Sequence, residues 1–391
     1  MAPTFYALSA DARQAIAVDA ETGQVLRTID VGVTPRSASV SPDGRFLWIA
    51  DGSPGASQVV VWDLATLQRA EAVPVGQGPQ AVAFHPDGSQ AFVSSQGDNR
   101  VAVVDATTRR PVGDIPVGQQ PTGLAVAALT EGPRLFVANS GSNDVSSVDL
   151  QGQRERARIP VGQTPTAVAL SPDGQRAYVV NEGDGTLSVL DTRGERETAR
   201  IQLAGQVTDA ATSADGRFVY AVAADPQATF WVVDATREEP VGDPMDLGAP
   251  AVAVASHDDE AWVALANGTI AVVDPAARRV ARTIRVDGGL TDLTHASQRP
   301  SSLTATPGAA TPAATPGTPG TPALPATPVT PTAVAPAGTP SPAVAPATPS
   351  PPVTPPMAAT PSPGVATPGA GATPATPETP SAGGPLASPT P

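Results

Sequence analysis

Residues 163–192, QTPTAVALSPDGQRAYVVNEGDGTLSVLDT, follow the same pattern as residues 77–106, QGPQAVAFHPDGSQAFVSSQGDNRVAVVDA. Both stretches carry a Pro, an alternation of small apolar residues, a Pro-Asp-Gly turn, a second apolar run with one aromatic, a polar loop, and a third run that ends in Asp. Alternation with a period of two marks strands that bury one side. Pro presets the first central torsion of the turn and Gly accepts a positive φ, so the tetrapeptide reverses the chain between two strands at little cost. Each unit therefore reads as strand, turn, strand, loop, strand, and a fourth strand that closes on Val-Gly before the next copy begins.

Laid out at a period of about 43 residues, the pattern recurs along the first three quarters of the chain. The turn reads Ser-Pro-Asp-Gly at 41–44 and 171–174, His-Pro-Asp-Gly at 85–88, Ser-Ala-Asp-Gly at 213–216 and Ser-His-Asp-Asp at 256–259, and is degraded in ALTEGPR at 128–134. The Asp that closes the third strand returns at Asp19, Asp63, Asp105, Asp149, Asp191, Asp234 and Asp274, which sets the number of units at seven. A lone twisted four-stranded sheet cannot bury both faces, so like sheets stack face to face and their twist carries the stack round until it closes. The expected fold is all-β, a seven-bladed β-propeller of four-stranded blades. Tyr6, Trp48, Phe92, Phe136, Tyr178, Tyr220 and Trp262 fall in the second strands, where they would fill the space between blades. The first unit lacks a first strand, while GLTDLTHAS at 289–297, akin to QVTDAATSA at 206–214, is a first strand with no successors. A C-terminal strand that completes the N-terminal blade is the natural solution.

The recurrent Pro-Thr-Ala-Val-Ala-x-Ser-Pro-Asp-Gly, followed by LFVANSGSNDVSSVD (135–149) or AYVVNEGDGTLSVLD (177–191) and then IPVG, resembles the YVTN-repeat β-propellers over residues 5–297. That resemblance implies a bacterial or archaeal protein, often exported or at the cell surface, with an undefined ligand. Lactonase-type and quinoprotein-type propellers are related to the family, which makes a hydrolase the alternative to a binding scaffold.

Composition divides the chain into a propeller at 1–299 and a tail at 300–391. Beyond residue 300 the chain is nearly all Pro, Thr, Ala, Ser and Gly, with Glu378 its only charged side chain, so the net charge of −14 belongs almost wholly to the propeller. A chain of that composition cannot bury enough apolar surface to offset its entropy, and the tail reads as a disordered spacer or O-glycosylated stalk. An acidic body disfavours nucleic acid and anionic lipid, and no run of about 18 apolar residues offers a membrane span. There is no Cys and no Lys, which excludes disulfides, thiolate metal sites, thiol nucleophiles, Schiff bases and a Walker lysine. The opening MAPTFYALSA has no basic or apolar leader, and the repeat begins by residue 5, so a start upstream of Met1 would fit an exported protein. Family resemblance and tail together predict an extracytoplasmic location and a monomeric scaffold.

Any site is expected on the channel face, where loops from fourth to first and from second to third strands gather. The residues after the recurrent Pro are Arg36, Gln80, Thr122, Thr166 and Ala251, with Thr208-Asp209 and Thr291-Asp292 in the two related blades. Positions that differ between blades carry specificity, which selects Arg36, Asp209 and Asp292, and His295 if the closing strand brings it near the channel. Asp11, Asp98, Asn99, Asn143, Asp144, Glu182, Asp184, Asp225 and Asn267 make an acidic, amide-rich rim. Turn geometry accounts for most such residues; the functional reading is oxygen ligation of Ca2+, although no spacing matches a calcium loop. His85 and His257 replace turn residues on the opposite face. Arg36, Asp209 and His295 are the one set from which a lactonase-like site could be assembled. Otherwise a protein or small-molecule ligand at the channel face is expected, with no catalytic residues and no cofactor.

Overall fold

The computed structural model describes residues 3–225 and 228–296; the tail assigned to 300–391 lies outside the described residues. Among these, the strands form seven antiparallel sheets. Six of them run from an inner to an outer strand in chain order, the seventh takes its inner strand from the end of the repeat region, and the inner strand of each sheet packs against those of the sheets on either side, closing the ring. The inner strands are Leu290–Ala296 (blade 1), Pro35–Val40 (blade 2), Pro79–Phe84 (blade 3), Pro121–Ala127 (blade 4), Pro165–Leu170 (blade 5), Val207–Thr212 (blade 6) and Ala251–His257 (blade 7).

Blade 1 is completed as the repeat requires. Leu290–Ala296 pairs antiparallel with Thr4–Ser9, with Phe5 opposite His295 and Ala7 opposite Leu293. The chain thus closes its own ring by joining strands from the two ends of the repeat region.

The core lies between the blades rather than in the channel. Tyr6, Trp48, Phe92, Phe136, Tyr178, Tyr220 and Trp262 are all at most 3% exposed, as expected of inter-blade fillers. Trp262 of blade 7 stacks on Phe5 of blade 1 with ring centroids 4.3 Å apart. On the other side of blade 1, Tyr6 and Leu8 meet Leu47 and Ile49 of blade 2. Burial of a side chain of this kind stabilises by about 1.5–3 kcal/mol, so the stacked faces supply the driving force for closure.

The recurrent small residues have local jobs. Gly44, in the Ser-Pro-Asp-Gly turn, sits at φ +71°, a conformation that costs it nothing. Ser41 Oγ both donates to Asp43 and accepts from the Phe46 amide, pinning the turn from within. The Asp at the end of each third strand accepts from amides in the turn that follows, as Asp19 does from Glu21 and Thr22, and Asp234 does from Thr236 and Arg237. Its recurrence reports hairpin geometry, not chemistry.

Blade 6 departs from the repeat. Its outer strand is broken into Glu239–Pro240 and Met245–Asp246, both paired to Thr229–Asp234. Pro240 and Pro244 have no amide to donate, and Gly242 turns the chain at φ +66°, so continuous pairing is lost between them.

Candidate functional site

The inner strands share an irregularity at the same place. In blade 2, Pro35 pairs with Asp51 but Ser37 already pairs with Ala50, so Arg36 is an extra residue. The same shift occurs around Gln80-Ala81, Thr122-Gly123, Thr166, Thr208, Val252 and Thr291. A bulge of this kind breaks the pairing locally and re-aims a side chain. Here every bulge falls at the channel mouth, and the bulged residues together with those after them line a cavity of about 600 Å³.

Arg36, Asp209 and Asp292 are brought together in that cavity, as expected. Ala10 and Gly52 from second-to-third-strand loops, and Thr34 before blade 2, complete its entrance. One position needs correcting. Ala251 pairs with Leu265 as Pro165 pairs with Asn181, so Ala251 stands in the Pro position and Val252 is the residue presented by blade 7. Glu182, assigned to the rim, also reaches the cavity, where Gln206 donates to it at 2.5 Å.

The two aspartates tie blades together. Asp209 accepts from the Val254 amide of blade 7 and from the Ala210 amide, both at 2.9 Å. Asp292 does the same with the Ala38 amide of blade 2 at 2.9 Å and the Leu293 amide at 2.8 Å. Both residues line the walled cavity. Burial inside the ring pushes Asp209 up to about 7, against the pull of the Val254 amide and with the charge of Asp292 adding to the rise. Burial raises Asp292 as well, opposed by the Ala38 and Leu293 amides, the Ser37 hydroxyl and the positive charge of Arg36.

Threonines supply most of the remaining ring. Thr122 Oγ1 donates toward Ala138 O and Pro165 O at 3.1 and 3.0 Å, and Thr208 Oγ1 toward Val222 O and Ala251 O at 3.2 and 3.0 Å. Thr291 bridges Leu8 O and Pro35 O in the same manner. Each hydroxyl links a blade to its neighbour. Arg36 Nε donates to Gln80 Oε1 at 3.1 Å, and Gln80 Nε2 is engaged with Gly78 O and Gln96 Oε1.

His295 is not part of this cluster. It lies three residues further down the closing strand, its ring 4.9 Å from Phe5 and 5.0 Å from His257, and its Nε2 is buried without a hydrogen-bond partner. Burial, with the proximity of His257, pushes its pKa down to about 4, while Asp258 acts in the opposite sense. The set Arg36, Asp209 and His295 is therefore not assembled at the mouth, because strand alternation after the bulge turns His295 toward the interface between blades. The rim does not converge either. Asp98 accepts from the Gln77 amide, Asp184 from the Gln163 amide, Asn99 from the Gln120 amide and Asn143 from the Thr164 amide. Among the described residues no three His, Cys, Asp or Glu side chains are grouped to hold a metal ion.

No family model and no curated protein matches this chain. Solved propellers do resemble it in fold. Kuenenia stuttgartiensis hydrazine synthase superimposes with a TM-score of 0.54 at 21% identity, covering 61% of this chain and 76% of that one. The dihydro-heme d1 dehydrogenase NirN in complex with DHE superimposes with a TM-score of 0.58 at 18% identity, covering 74% of this chain and 64% of that one. Likeness at this identity speaks for the propeller fold alone. Among the described residues no helix is long and apolar enough to cross a membrane.

Proposed function

We propose that the protein is a non-catalytic binding module whose ligand enters the channel mouth, and that it works outside the cytoplasm, with its Pro/Thr-rich tail as a spacer. One observation carries the reading. The positions at which the blades differ most in chemistry converge on a single cavity, while its carboxylates and most of its hydroxyls are held by backbone groups of neighbouring blades. Groups held in place by the backbone of neighbouring blades are suited to binding and orienting a ligand. The extracytoplasmic placement rests on the resemblance of the repeat and on the tail composition.

Filling the mouth tests the reading without assuming a ligand. Thr166 lines the cavity and its hydroxyl has no hydrogen-bond partner to lose. With Thr166→Ala as the control, expected to melt within about 2 °C of the parent because only a small side chain and an unpartnered hydroxyl are lost, Thr166→Trp fills the mouth. It should abolish the rise in melting temperature produced by any small molecule that binds the parent in a thermal-shift screen. A ligand that shifts both proteins equally, or a lactone hydrolysed equally by both, would place function elsewhere.

A further inference from the structure

We propose that the mouth takes a small aliphatic diamine, with one ammonium group at Asp209, the other at Asp292, and the alkyl chain lying across Val252. The inference rests on the mouth being the binding site and names the chemistry of its ligand.

Hydrogen-bond accounting leads to a cation. The hydroxyl protons of Thr122, Thr208 and Thr291 are directed at carbonyls, so what these residues offer the cavity is lone pairs. Each oxygen of Asp209 and Asp292 accepts one amide, and Asp292 takes the Ser37 hydroxyl as well, which still leaves both carboxylates acceptor capacity. Arg36 Nε and the Gln80 amide are already engaged, and the donors that remain, the other Arg36 N–H groups and the Thr166 hydroxyl, stand on blades 2 and 5, outside the arc from Asp209 to Asp292. Formal charge agrees, with Asp209, Asp292 and Glu182 set against Arg36 alone. An acceptor-lined, net-negative cavity selects a donor-rich positive group.

Geometry leads to two charges on an apolar spacer. Asp209 and Asp292 sit on blades 6 and 1, and the blade between them presents Val252 and Ala253 where blades 3 to 5 present Gln or Thr at the bulge. Two carboxylates flanking an apolar strip match two ammonium groups joined by methylenes. A cavity of about 600 Å³ suits a small organic molecule. Arg36 stands beyond Asp292 on blade 2 and repels the ligand from that side.

Calorimetry with putrescine, 1,4-butanediol and succinate at pH 8.5 and low salt separates the cases, since burial raises both aspartates and a high pH favours their charged forms. Putrescine is expected to bind and the neutral and anionic isosteres to bind at least tenfold more weakly. Asp209→Asn and Asp292→Asn should each weaken putrescine tenfold or more. Because those changes also touch the ties between blades, Arg36→Ala provides an independent arm: it gives up the link to Gln80 but leaves the ties of both aspartates intact, and should tighten putrescine severalfold. Binding of butanediol or succinate as strong as that of putrescine, or an unchanged affinity in Arg36→Ala, overturns the diamine while leaving the mouth as the site. If none of the three binds, the diamine is also overturned, and the Thr166→Trp screen decides whether the mouth binds anything.

Discussion

A chain that stops at residue 288 is expected to lose its cooperative melt, whereas one that stops at residue 300 should melt with the full-length protein. The two differ by the closing strand and a few residues on either side of it. Leu290, Leu293 and Ala296 are at most 5% exposed, and the two leucines together bring about 3–6 kcal/mol of burial. Their removal also uncovers Phe5 and Trp262 and leaves Thr4–Ser9 as an unpaired inner edge. Against a total stability of about 5–15 kcal/mol for an ordinary domain, that loss is decisive, and bare edges of this kind aggregate. Calorimetry and size-exclusion chromatography read the outcome. Melting of the shorter chain within about 2 °C of the longer one would show that the ring does not need its seventh inner strand.

The second large effect is a cancellation that substitution should expose. His295 has a folded pKa of about 4 against an ordinary 6.5. Between those values the unfolded chain holds a proton that the folded one does not, so stability falls as pH drops from about 6.5 toward 4. Asp209 works the other way. Its folded pKa of about 7 lies above the ordinary 3.8, so the folded chain holds the extra proton and stability rises as pH drops from about 7 toward 3.8. Asp292, also raised, adds to the second trend. The parent should therefore show a shallow dependence between pH 4 and 7. His295→Gln should become more stable on acidification through that range, and Asp209→Asn less stable than the parent profile predicts. Parallel profiles for all three proteins in urea titrations would refute the opposed pair. Below pH 4 the exposed turn aspartates, such as Asp87 and Asp173, whose hydrogen bonds depress their pKa values, begin to lose their contribution, and all three proteins should weaken together.

Much of this architecture can be read from residues that repeat. Turn, closing Asp, second-strand aromatic and the orphan strand at 289–297 all act locally or through a strict period, so one copy predicts the next. What escapes such a reading depends on register between strands. A bulge adds one residue without altering the types around it, so Ala251 and Val252 exchange places unnoticed. The direction of His295 depends on the same register, which the sequence leaves open. That Asp209 and Asp292 reach amides one blade away is a relation between units that resemble each other only within themselves. The broken outer strand of blade 6 was legible in principle, since Pro240 and Pro244 bracket Gly242.

The bulge at each inner strand gives the ring something akin to a row of interchangeable keys. Because the extra residue stands outside the ladder of paired neighbours, its identity is released from the demands that hold a strand together: Arg, Gln, Thr and Val all occupy it in this one chain. A gene that grew by copying a blade could therefore keep the copied sheet unchanged and diversify at a single codon per copy. For the engineer the same feature means addressable positions around one opening, first among them Thr166 and Val252, whose side chains make no hydrogen bond to a neighbouring blade and at which a new binding specificity can be written with the scaffold left as it is.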